Sequence, residues 1–189
     1  MRHSIPMKLA WGVLLFLCTN SAWANETPKA MRVFTERYLQ ETAKHETFVL
    51  AVQTQNTLQT SLTSIKQQDT TWRNTPGIDS FMWDLMRNDC ALILFNLQQI
   101  YPFISEAFVM DQQGALVCLT YKTTDYWQGD EAKFTESYRN GQGAIYYSDA
   151  KYDLSTDEIM IQISVPVMSE TDAIGVIMFG ISLDRWERR

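Results

Sequence analysis

The stretch Ala107-Phe-Val-Met-Asp-Gln-Gln-Gly-Ala-Leu-Val-Cys-Leu-Thr-Tyr121 decides the fold. Its apolar residues run in two short blocks on either side of Asp111-Gln112-Gln113-Gly114, a turn sequence, so strands at 107–110 and 115–121 should form a hairpin. Upstream, apolar residues recur at helical spacing; from here onward the period is two. Downstream, Gly141-Gln142-Gly143 opens a third strand at 144–148, and strands at 158–168 and 173–183 follow, joined by the polar Ser169-Glu170-Thr171-Asp172 turn. Residues 125–140 between the second and third strands read as a polar, aromatic-bearing loop with a short helix from Glu131.

Upstream of the hairpin, residues 28–75 contain no glycine and no internal proline. Phe34, Tyr38, Phe48, Val52, Leu58, Leu62, Ile65 and Trp72 trace one face of a long helix over 28–72, which would span about 60 Å. Asn74-Thr75-Pro76-Gly77 ends it, and a second helix is expected over 79–100, capped near Asp79 or Ser80 and stopped by Pro102. Helices followed by strands describe an α+β domain, with both helices packed on a five-stranded antiparallel sheet over 107–184.

Residues 1–24 carry Arg2 and Lys8, an apolar run over 9–18 and the small-x-small Ala22-Trp23-Ala24, the order of a cleaved secretory signal. The apolar run is about half the ~20 residues that span a bilayer, so an uncleaved anchor is the weaker reading. Residues 25–189 then form one domain, expected in the bacterial periplasm. All 22 acidic residues but only 14 of the 16 Lys and Arg lie in it, giving a charge of −8 that disfavours nucleic-acid binding. Cys90 and Cys118 remain after cleavage, and either pair in an oxidising compartment or stand as two separate buried thiols.

Little in the chain suggests catalysis. The single histidine left after cleavage, His45, falls on the long helix, with no Ser or Cys beside it in a nucleophile motif. Ligands for Cys- or His-type metal sites are too few, and neither a haem-attachment motif nor a phosphate-cradling glycine loop is present, so no cofactor is expected. The informative cluster is Asp125, Tyr126, Trp127 and Asp130 on the loop, Tyr138 and Arg139 on the short helix, and Tyr147 and Asp149 on the third strand. Alternation puts Tyr147 and Asp149 on one face of that strand and Tyr146 on the other. Aromatic walls with carboxylates suit an ammonium group, and Arg139 could clamp a ligand carboxylate, so an amino acid, an amine or a small organic acid would fit these parts.

The hairpin, the block Thr124-Asp-Tyr-Trp-Gln-Gly-Asp-Glu131 and Gly141-Gln-Gly-Ala-Ile-Tyr-Tyr147 together resemble a single Cache domain, a PAS-like extracytoplasmic sensor module also called a PDC domain. The ending Gly175-Val-Ile-Met-Phe-Gly-Ile-Ser-Leu-Asp184 resembles the last strand of that family. The resemblance covers nearly all of residues 25–189 and implies small-molecule recognition between the sheet and the loop-helix bracket. Receptors of the family run from the last strand into a transmembrane helix, whereas this chain reaches Arg189 shortly after Leu183. The resemblance therefore implies a free sensor that signals through a membrane receptor. The rival expectation is an interaction protein with a degenerate pocket, acting through its long helix as a homodimer or on a partner.

Overall fold

The computed structural model describes residues 27–153 and 157–189; the signal sequence expected over 1–24 lies outside the described residues. The chain is α+β, with helices on both faces of a six-stranded antiparallel sheet. The strands are β1 (Ile104–Asp111), β2 (Leu116–Leu119), β3 (Tyr146–Tyr147), β4 (Lys151–Asp153), β5 (Glu158–Ser169) and β6 (Asp172–Ser182). They lie in the order β2-β1-β6-β5-β3, with β4 also pairing with β5. Taking the short β3 and β4 as one broken strand, this is the PAS-like arrangement, with the last strand beside the first. The five expected strands are present, and β4 is an addition.

Strand alternation sorts the core into two layers. Ala107, Val109, Ile163, Val165, Ile177 and Phe179 point to one face and pack with Phe34, Phe48, Val52 and Leu94. Phe108, Met110, Val176 and Met178 point to the other and pack with Ile65, Trp72, Met82, Tyr126 and Phe134. Gly175 permits close packing on the first face, where a Cβ would lie 2.8 Å from Val52 Cγ1.

The expected long helix over 28–72 is broken. It consists of α1 (Lys29–Phe34), a π-helical stretch (Thr35–Leu39), α2 (Gln40–Ala43), α3 (Glu46–Thr57) and α4 (Leu62–Asn74). Polar side chains restart the helix where no glycine or proline announces a stop. His45 Nδ1 accepts from the Thr47 N–H, and Ser61 Oγ accepts from the Ser64 N–H at 3.1 Å after a left-handed turn at Gln59. The turn carries the chain across the sheet, so Ile65 and Trp72 join the opposite core layer from Phe48 and Val52. Tyr38, Leu58 and Leu62 are exposed rather than part of one stripe.

The second helix is likewise two, α5 (Ser80–Arg87) and α6 (Asp89–Ile100). Asp79 caps the first, and Asn88 both caps the second and donates to the Val117 carbonyl at 3.0 Å. Cys90 and Cys118 are joined as a disulfide, with Cα atoms 5.9 Å apart, tying α6 to β2. Helix α7 (Ala132–Tyr138) forms where the short helix was expected, and α8 (Leu183–Glu187) follows β6. Among the described residues no helix is long and apolar enough to cross a membrane.

Candidate functional site

The segment between β2 and α7 is held to the sheet by main-chain bonds. Leu116 N–H donates to the Tyr126 carbonyl, Gln128 N–H donates to the Gly114 carbonyl at 2.8 Å, and Ala115 and Trp127 form a bridge. The two backbones meet at glycines: a Cβ on Gly114 would lie 2.4 Å from Gly129 Cα, and Gly114 has a φ of +82°. From the other side, Asp69 on α4 accepts the N–H groups of Tyr126 at 2.8 Å and Trp127 at 3.1 Å while pairing with Arg73 at 2.9 Å. Asp69 is buried, and this clamp sets the course of the segment.

The structure brings Asp125, Trp127 and Asp130 together but places the other five sequence candidates elsewhere. Tyr126 is buried against Trp72 and Phe81 as a core residue, and burial pushes its hydroxyl up to about 12. Asp125, Trp127 and Asp130 share a groove on the outer side of the segment with Lys66 and Arg73. There Lys66 Nζ stands 4.3 Å from the Trp127 ring centroid, and Trp127 Nε1 donates to the Gln113 carbonyl. Tyr138 stacks on Phe134 at 5.1 Å, and Arg139 is exposed and bonds the Glu136 carbonyl. Asp149 is exposed. Tyr147 lies on the far face of the sheet beneath the Arg32 guanidinium, 4.6 Å away, and contacts the first core layer. Alternation correctly puts Tyr146 and Tyr147 on opposite faces; Tyr146 is the one that faces the bracket.

A polar hollow does lie between the sheet and the bracket, built largely from other residues. It comprises two adjoining recesses of about 230 and 360 Å3 that share Lys133, Tyr152, Asp153 and Gln162. Its floor follows from strand register. Glu106 on β1 and Gln162 on β5 both stand opposite Gly180 on β6. A Cβ at 180 would lie 2.7 Å from Glu106 Cγ, so the glycine leaves space for the glutamate chain to lie across the sheet. Toward the sheet edge, the Gln162 N–H donates to Ser148 Oγ, which places Ser148 on the rim.

Charge and unmet hydrogen-bonding capacity concentrate at this floor. Burial pushes the Glu106 carboxyl up to about 7; the negative charge of Asp153 and, less, of Glu131 add to the rise, and Lys133 opposes it. Lys133 itself pairs with Glu131 at 2.8 Å. Gln128 lines the smaller recess and is 1 % exposed; its Nε2 donates to the Asp125 carbonyl at 2.7 Å, but its Oε1 has no partner. Flipping the amide would set oxygen against oxygen at Asp125, so the atom left unmet is an acceptor. Ser164 Oγ, on the same sheet face, is also buried without a partner. Glu106 and Gln162 did leave a trace in the sequence, as a carboxylate and an amide inside largely apolar strands, Ser105-Glu-Ala-Phe108 and Met160-Ile-Gln-Ile163.

No family model matches the chain, and no curated protein sequence does either. Among solved structures, the sensor domain of the V. cholerae histidine kinase DctB is 11% identical, over 84% of this chain and 52% of that one, with a TM-score of 0.47. The ligand-binding domain of the Campylobacter jejuni chemoreceptor Tlp3, in complex with 4-methylisoleucine, is 14% identical over 82% of this chain and 65% of that one, with a TM-score of 0.43. The ligand-binding domain of Mlp24 with asparagine is 15% identical over 80% and 63%, at 0.39. This chain thus spans between about half and two thirds of the solved chains it resembles. The antiparallel order β2-β1-β6-β5-β3, with α1 and α3 against one face and α4, α5 and the loop-helix bracket over the other, gives the chain a PAS-like α+β architecture.

Proposed function

We propose that the chain is an extracytoplasmic sensor domain that takes a small polar molecule into the hollow between sheet and bracket and passes the bound state to a membrane partner. The observation carrying this reading is the floor of the hollow: Glu106 and Gln162 stand over Gly180 in a largely apolar sheet face, and the same lining holds Gln128, whose Oε1 has no partner. Buried polar atoms without partners are costly, roughly 1–3 kcal/mol each, and a core serving stability alone has no use for them. A ligand that bonds them recovers that cost on binding. The periplasm is the compartment that fits a secretory signal and the Cys90–Cys118 bond.

Thermal-shift screening of the purified protein against amino acids, amines and organic acids tests this reading. A compound that raises the unfolding temperature should lose its effect when Gln162→Leu makes the floor apolar. The reading fails if no compound in the three classes stabilises the protein, or if stabilisation survives that substitution.

A further inference from the structure

We infer that the hollow selects a small protonated amine, whose ammonium group is held between the Glu106 carboxylate and Gln128 Oε1. This rests on the reading of the hollow as the ligand site and specifies the class of molecule.

The lining has an excess of acceptors. Glu106 forms no side-chain hydrogen bond with any described residue, although it lies in the floor with its chain against Gly180. Gln128 Oε1 is the second unmet acceptor, and its orientation is fixed by the bond from Nε2 to Asp125. Each needs a hydrogen-bond donor, and the carboxylate also needs a positive charge; an ammonium group supplies three N–H donors and that charge.

The charged groups around Glu106 come from several elements. Asp153 on β4 and Glu131 before α7 are negative, and Lys133 on α7 is positive. Lys133 is taken up by Glu131 at 2.8 Å, and its side chain is 11% exposed. Lys151, the other cation on the lining, is exposed at the rim. A ligand carboxylate at the floor would therefore face Glu106 and Asp153, with Lys133 already paired and Lys151 only at the exposed rim. An amine without a carboxylate fits better than an amino acid or an organic acid. Tyr146, Tyr152 and Phe108 supply ring and apolar surface for a short carbon chain. Burial, and next the charge of Asp153, raise the Glu106 carboxyl despite Lys133, and an ammonium group beside it would favour its ionised form.

Calorimetric titration at pH 8 with n-butylamine, n-butanol, butyrate and L-2-aminobutyrate tests the inference, because the four share a four-carbon skeleton and differ in the charged or polar groups that it carries. Butylamine should bind tightest. Glu106→Gln, which keeps the shape and removes the charge, should weaken butylamine by about tenfold or more, as expected for loss of a charge-assisted bond. Its thermal unfolding should show a folded protein. Tighter binding of butanol, butyrate or 2-aminobutyrate, or an unchanged butylamine affinity in the variant, overturns the amine assignment while leaving the hollow as a ligand site. Absence of binding by all four overturns it as well, and the broader screen then decides separately whether the hollow binds anything.

Discussion

Replacing Glu106 by Gln should stabilise the protein at alkaline pH and leave it nearly unchanged in acid. The carboxyl titrates at about 7 in the folded chain against 4.5 when unperturbed, with burial as the main cause. A group whose folded pKa is raised binds its proton more tightly in the native state, so ionisation works against folding. Wild-type stability is thus highest, as far as this group is concerned, below pH 4.5, falls as pH rises from there to about 7, and levels off above that. The shift corresponds to roughly 3 kcal/mol at 1.36 kcal/mol per unit, and partial solvent access brings the expected effect to roughly 2 kcal/mol. Glutamine has no proton to lose. Urea unfolding of both proteins from pH 4 to pH 8 should give a stability difference near zero at the acid end, growing to roughly 2 kcal/mol in favour of the variant, or about 5 °C in unfolding temperature. A difference independent of pH, or one that shrinks as pH rises, would refute the argument that Glu106 is held desolvated in the floor.

Other outcomes follow from the same geometry. If an amine binds at Glu106, its affinity should increase from pH 6 to pH 8 as the carboxyl ionises, then level off; calorimetry in buffers of different ionisation enthalpy should show proton release below pH 7. Asp69→Ala leaves the N–H groups of Tyr126 and Trp127 without their acceptor and should cost roughly 2–4 kcal/mol by denaturant unfolding. Converting both Cys90 and Cys118 to Ala releases a cross-link between residues separated by 28 positions, and should lower stability by roughly 3 kcal/mol. The wild-type protein should resist thiol alkylation unless it is reduced. Gly114→Ala sets a methyl group against the Gly129 backbone at a positive φ, and should lower the unfolding temperature and speed proteolysis within 120–131.

Period and turn chemistry made the sheet legible. The hairpin at Asp111–Gly114, the long strands β5 and β6 and the helix after Glu131 stand within a few residues of where the sequence puts them. The helical layer was less legible because its breaks lie at His45, Ser61 and Asn88, polar residues that also sit comfortably on a helix surface. Only their capping bonds to Thr47, Ser64 and Ala91 distinguish them. The site was least legible. Tyr126 and Tyr147 are aromatic in a suggestive segment, but which way a loop or a two-residue strand turns its side chains depends on contacts from α4 and α1, far away in the chain. Glu106 and Gln162 could have been singled out as polar residues within buried strands, and Gly180 as the small residue both stand opposite; their meeting is a fact of register.

The breaks in the helical layer divide its attachments. Helix α3 is fastened to the hairpin end of the sheet, where Gln55 donates to Asp111 at 2.8 Å and Asn56 donates to the Ile174 carbonyl at 2.9 Å. Helix α4 is fastened instead to the bracket through Asp69, and the turn at Gln59 separates the two. A continuous rod would average any displacement over its whole length. As built, a ligand that draws the bracket toward the floor would pull on α4 directly through Asp69 and reach α3 only indirectly through the hairpin, so the two helices would respond to occupancy by different amounts.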